Sequence, residues 1–88
     1  MTIITRTGAL GPGDALDLRH ELDEATRQLD ASVTLDLREV ESLHPAVVAA
    51  VVRAARQARK AAGVFELRRP TSPNASRTLG LVAIDQLI

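Results

Sequence analysis

The residues of this chain that are able to do chemistry are few and scattered. His44 stands beside Pro45 where a strand pattern hands over to a long alanine-rich helix, "HPAVVAAVVRAARQARKAAG". Histidine suits general-base work, and strand-to-helix turns at the C-terminal edge of a parallel sheet are where open α/β folds carry working residues. No nucleophile, metal set or oxyanion-donor pattern accompanies His44, so it reads as a turn residue and the chain reads as a non-enzyme. His20 falls on the polar side of an earlier helix pattern and is expected to face water. Arg53, Arg56, Arg59 and Lys60 cluster, but acidic residues stand close by and the net charge is zero, so a solvated helix face is expected. Gly11 and Gly13 are too few and wrongly spaced for a nucleotide fingerprint.

Composition excludes more than it suggests. The 88 residues make one domain, 1–88, able to bury roughly 60–65% of its unfolded surface. Phe65 is the only aromatic residue, so the core must be aliphatic and a base-stacking surface is missing. Eleven basic residues balance eleven acidic ones, which leaves no net field toward nucleic acid or an anionic membrane. There is no cysteine, and two isolated histidines do not make a zinc set, so neither a metal nor a cofactor is expected. No stretch reaches the ~20 apolar residues that span a bilayer, and no signal peptide opens the chain. A cytoplasmic protein that meets a protein partner or a small ligand is the expectation.

Three strand patterns alternate with three helix patterns. "TIITRT", Thr2 to Thr7, is β-branched and is expected to end at Gly8, before "GPGD" breaks the chain. Leu18, Leu22, Ala25 and Leu29 then recur at helical spacing. "SVTLDLR", Ser32 to Arg38, alternates Val33, Leu35 and Leu37 against Thr34 and Asp36 and is the clearest strand. After Pro45 the stripe Val47, Val51, Ala54, Ala58 and Ala62 predicts a helix that Gly63 stops. "VFELRR" reads as a third strand, and Ser72 with Pro73 opens a last helix whose buried side is Leu79, Val82 and Ala83 or Ile84. The alternation predicts an α/β layer with crossovers and a mixed sheet, at least partly parallel.

The order and the residues together resemble the STAS domain, shared by anti-sigma factor antagonists and the cytoplasmic tails of sulfate transporters. Gly8-Ala9-Leu10 is similar to the family's Gly-x-Leu before its first long helix, and "VTLDL" to its apolar-apolar-Asp-Leu strand. Gly63 through Leu67 resembles the glycine-then-strand segment, Pro70 to Leu79 the loop into the last helix, and Ala83-Ile84-Asp85 with Leu87 and Ile88 a degraded closing Gly-Leu-Asp. Such domains usually have one strand before the one that ends at Gly-x-Leu, so an N-terminal strand is expected to be missing and a homodimer through the bared edge is plausible. Asp36 at a strand end is similar to a receiver domain's phosphoacceptor, but "TIITRTG" holds no acidic pair, and Asp36 is expected to be structural.

The resemblance implies a site between the middle strand and the next helix. There the family carries Asp-Ser-Ser-Gly or a close variant, and in antagonists a hydroxyl of that motif is phosphorylated by a kinase that is also the anti-sigma factor. The aligned residues here are His44, Pro45, Ala46 and Val47, which hold no hydroxyl. Proline suits the first helical position, since its missing N–H has no partner there anyway. The turn is thus expected to keep its structural task without the phosphate switch, and Val47 is expected to crowd a kinase where the family has glycine. Ser42 and Thr34 are the neighbouring hydroxyls available as substitutes. The implied function is a module that binds an anti-sigma factor or histidine-kinase-like ATPase through Gly11, Pro12, Gly13, His44, Pro45, Ala46 and Val47. The alternative is a divergent module that binds a small ligand or serves as a subunit of a transport-related or other complex.

Overall fold

The computed structural model describes residues 1–81. Strand β1 spans Thr2–Leu10, helix α1 Pro12–Arg27, β2 Ser32–Leu43, α2 Pro45–Lys60, β3 Val64–Arg68 and α3 Pro73–Leu81. The α/β alternation read from the sequence is therefore present, element for element. The expected helix residues Val82, Ala83 and Ile84, and the degraded closing motif, lie outside the described residues.

The sheet order is β1-β2-β3 and both pairings are parallel. This corrects the mixed sheet expected from the sequence, as far as the described residues go. The reason lies in the connections: each neighbouring pair is joined through a whole helix, as parallel partners require, and no tight hairpin links consecutive strands. One face of the sheet carries Ile4, Leu35 and Leu67 in a single row. Leu18 and Leu22 of α1, Val47, Val48 and Val51 of α2, and Ala75 and Leu79 of α3 join Val33, Leu35 and Leu37 in one aliphatic cluster. Fully burying each such Leu or Val contributes ~1.5–3 kcal/mol, more than any surface ion pair here. The other face presents Ile3, Thr34 and Glu66, then Thr5, Asp36 and Arg68.

Strand β2 runs five residues beyond the Arg38 end read from the sequence. Its register with β1 slips twice, between Thr5 and Thr7 and between Gly8 and Ala9, and each slip sets one extra β2 residue against β1. Each is a bulge. The core positions of β2 are therefore Val33, Leu35, Leu37, Val40 and Leu43, at spacings of two and then three. Strict alternation fails at Arg38 because the bulges re-aim Val40 and Leu43 inward. Beyond the end of β3, the turn before α3 takes over that side of β2: the Thr71 hydroxyl donates to the Arg38 carbonyl at 3.2 Å, and the Ser72 hydroxyl to the Glu41 carbonyl at 2.9 Å. β1 likewise continues through Gly8, whose φ of +76° is open to glycine, as far as Leu10.

The helix ends bring further corrections. α1 stops at Arg27, so Leu29, read as part of its stripe, is 76% exposed, while Ala15 and Thr26 join Leu18 and Leu22 inside. At the end of α2 the left-handed residue is Ala62, with φ of 57°, and not Gly63. The Ala62 N–H donates to the Arg59 carbonyl and the Gly63 N–H to the Ala58 carbonyl, a Schellman arrangement. Gly63 is required for a different reason. A Cβ there would sit 2.5 Å from the Ala31 carbonyl oxygen, which already accepts from the Val64 N–H.

Candidate functional site

The His44 turn is built from backbone outward. Leu10 and Leu43 are register partners at the ends of β1 and β2, and the His44 N–H donates to the Leu10 carbonyl at 2.9 Å. Each strand then passes into a helix with proline at its first position, Pro12 in α1 and Pro45 in α2. The two helix N-termini therefore stand at one edge of the domain. The resemblance grouped the "GPG" loop with the His44 turn, and the pairing of Leu10 with Leu43 brings those segments together.

The opening histidine has a structural task. His44 is the N-cap of α2, and its Nδ1 accepts a hydrogen bond from the Ala46 N–H at 3.1 Å. An accepting Nδ1 means the proton of the neutral ring sits on Nε2. The imidazole thus does the work that Ser, Thr or Asp usually does at a helix start. At α1 the cap is reversed: Gly11 has no side chain, and the Asp14 carboxylate reaches back to accept from the Gly11 N–H at 2.8 Å.

Exposure sorts the expected site residues. His44, Pro45, Ala46, Pro12 and Gly13 are exposed and Gly11 is half-buried. Val47 is 0% exposed and belongs to the core cluster, so it is neither a surface contact nor an obstacle to a kinase. Pro45 and Ala46 are the exposed members of the first turn. Thr34 is 4% exposed on the central strand, which removes it as a substitute phosphosite, while Ser42 is half-buried.

Asp36 lies beneath a fork of two hydrogen bonds from Arg38, at 3.1 Å from Nε and 2.9 Å from a terminal nitrogen, and also accepts from the Arg38 N–H at 3.1 Å. These bonds hold its carboxyl below the ordinary carboxylate range, and the same pairing raises the Arg38 guanidinium. Arg68 approaches to 3.8 Å. The arrangement ties β2 to β3 on the open face and leaves Asp36 structural.

One polar contact was invisible to sequence reasoning. Thr26 is fully buried, its hydroxyl donating to the Leu22 carbonyl at 2.7 Å and accepting from Gln57 Nε2 at 3.0 Å. Gln57 also reaches the Asp23 carbonyl at 3.1 Å, so these three residues pin α1 to α2. Asp23 meets Arg19 at 4.0 Å and Arg53 at 3.3 Å. The one available signal is spacing: Thr26 falls four residues after Leu22 and eight after Leu18, on the buried stripe of α1.

Among the described residues no group of three or more His, Cys, Asp or Glu is placed to hold a metal ion, and no helix is long and apolar enough to cross a membrane. The edge presents an exposed first turn of α2 beside the start of α1. No curated protein matches the chain. The family model described as "Mlab, STAS domain" matches residues 2–88, and since that match runs through every strand and helix set out above, the chain belongs to the STAS domain family.

Proposed function

We propose that this protein is a non-enzymatic interaction module resembling an anti-sigma factor antagonist, which docks an anti-sigma factor or histidine-kinase-like ATPase through the edge formed by the α1 and α2 N-termini and is not switched by phosphate there. The observation that carries the reading is the first turn of α2. It is exposed at His44, Pro45 and Ala46, tied to β1 through Leu10, and contains no hydroxyl. A phosphoserine at such a place would add close to two negative charges, and Ala46 removes the acceptor while keeping the surface. The module is then fixed in its unphosphorylated form. The reading includes a cytoplasmic location and a homodimer paired through β1, which among the described residues has β2 as its one neighbour.

The same missing hydroxyl supports a second reading, permanent membership of a transport-related or other multiprotein complex, where a switch would serve no purpose. Capture from the source cell separates the two: a histidine-kinase-like ATPase supports the first, transport components the second. The docking edge itself is tested by calorimetric titration of the captured partner with wild type and Ala46→Asp. An exposed carboxylate in a first helical turn is favoured by ~0.3–1 kcal/mol, so the variant should fold. Burying it against a partner without a cation costs several kcal/mol, and a hundredfold or greater loss of affinity is expected. Equal affinities for two proteins with equal circular dichroism melts would remove this edge as the interface.

A further inference from the structure

Behind the two N-termini, α1 and α2 enclose a groove of about 360 Å³. Its walls repeat one pattern. On α1 the lining residues are Pro12, Ala15, Leu16 and Arg19; on α2 Ala46, Ala49, Ala50 and Arg53 stand at the same i, i+3, i+4 and i+7 spacing. Both helices start at the same edge, so the two rows run side by side, with apolar residues at the near end and an arginine at the far end of each. Two turns of helix separate the ends, about 10 Å. Leu16 is 58% exposed, a large apolar side chain left in water at the groove's rim, and the facing alanines leave room for a side chain to enter.

The far end is electrostatically lopsided. Arg19 and Arg53 both turn toward one carboxylate, Asp23, at 4.0 and 3.3 Å, and both are about half exposed. One negative charge faces two positive ones. Beyond Arg53 the surface continues along α2 with Gln57 and Lys60.

We infer that this groove receives an amphipathic helix of the protein partner, one that sets an apolar side chain among Leu16, Ala46 and Ala49 and a carboxylate one to two turns away, at Arg19 and Arg53. The apolar half gives the helix an anchor, and the residual positive charge fixes its direction and selects for acid. This rests on the proposed docking reading and adds the chemistry of the occupant.

The probe is a pair of alanine-rich helical peptides of about 16 residues, with leucines at i and i+4 and either glutamate or lysine at i+7 and i+8. Fluorescence anisotropy in low salt should show the glutamate peptide binding ~tenfold or more tightly than its lysine twin, a preference that shrinks as salt is added. Arg53→Glu should reverse the preference, and Leu16→Asp, a change at an exposed position, should abolish binding of both peptides with the melt unchanged. Equal binding of the two peptides, binding indifferent to Leu16→Asp, or binding of neither overturns the inference. So does concentration-dependent self-association that Leu16→Asp abolishes, since the occupant is then a second copy. If the peptides fail while Ala46→Asp still weakens the captured partner, the docking edge stands and only the groove's chemistry falls.

Discussion

The two ends of α2 solve the same problem in opposite ways. At its start the chain uses a side chain, His44, to satisfy a backbone N–H, and leaves the next two residues exposed. At its finish the chain uses backbone alone, folding Ala61, Ala62 and Gly63 back onto Ala58 and Arg59 and against Ala31. Both ends are anchored to distant backbone, the start through the His44 N–H to Leu10 and the finish against Ala31, but the side chains at the start stand open while the finish leaves no room for one. Side-chain change is therefore tolerated at His44 to Ala46 and felt at the finish.

The largest effect expected from this contrast is at Gly63. Gly63→Ala places a methyl group 2.5 Å from the Ala31 carbonyl oxygen, backbone that cannot swing aside. A loss of about 2–3 kcal/mol and a melting point roughly 8–20 °C lower are expected. An unchanged melt would show that the closed end is looser than its geometry. Its neighbour should move the other way: Ala62→Gly relieves a left-handed alanine and should gain roughly 0.5–1 kcal/mol.

The open end should respond more weakly. His44→Ala removes the acceptor for the Ala46 N–H and should cost about 0.5–1 kcal/mol, with His44→Asp restoring it. A cost above that of Gly63→Ala would invert the contrast between the two ends.

A pH titration samples neither end and serves as a reference. The Asp36 carboxyl is held low by its hydrogen bonds to Arg38. A lowered folded-state value means the stabilisation is complete above the unfolded carboxylate value, about 4, and is lost as pH falls through the lower folded value. Asp36→Asn should therefore flatten the acid limb of the stability profile and leave the relative order of the helix-end variants at neutral pH unchanged. Identical acid limbs for variant and wild type would remove Asp36 as the sensor.

What the residues disclosed and what they hid divide along the range of the physics. The order of strands and helices, Leu18 and Leu22 facing inward, Pro45 opening α2 and the absence of a hydroxyl from His44 to Val47 were all legible, because period, β-branching, proline and the presence of a hydroxyl are properties of a few neighbouring residues. The length of β2, the burial of Thr26, the parallel pairing of every described strand and the arginines converging on Asp23 were not. Val47 headed the apolar stripe of α2 by spacing, while the resemblance set it in a partner's path; at the third helical position it points into the cluster formed with Leu35 and Leu37, so the spacing was the better guide. Val40 and Leu43 broke the alternation that reads as a strand, because bulges set by pairing with β1 rotate them back to the core.

The sequence by itself determined the alternating elements, an aliphatic core without aromatics, and a turn with no hydroxyl to modify, since each follows from residue type and local spacing. Only the tertiary structure decided which side of that turn is surface, why Gly63 must be glycine, and that two separate helices line one groove with matching rows ending in arginine. Those are contacts between segments far apart in the chain, and no local rule of period or propensity encodes the distance between them.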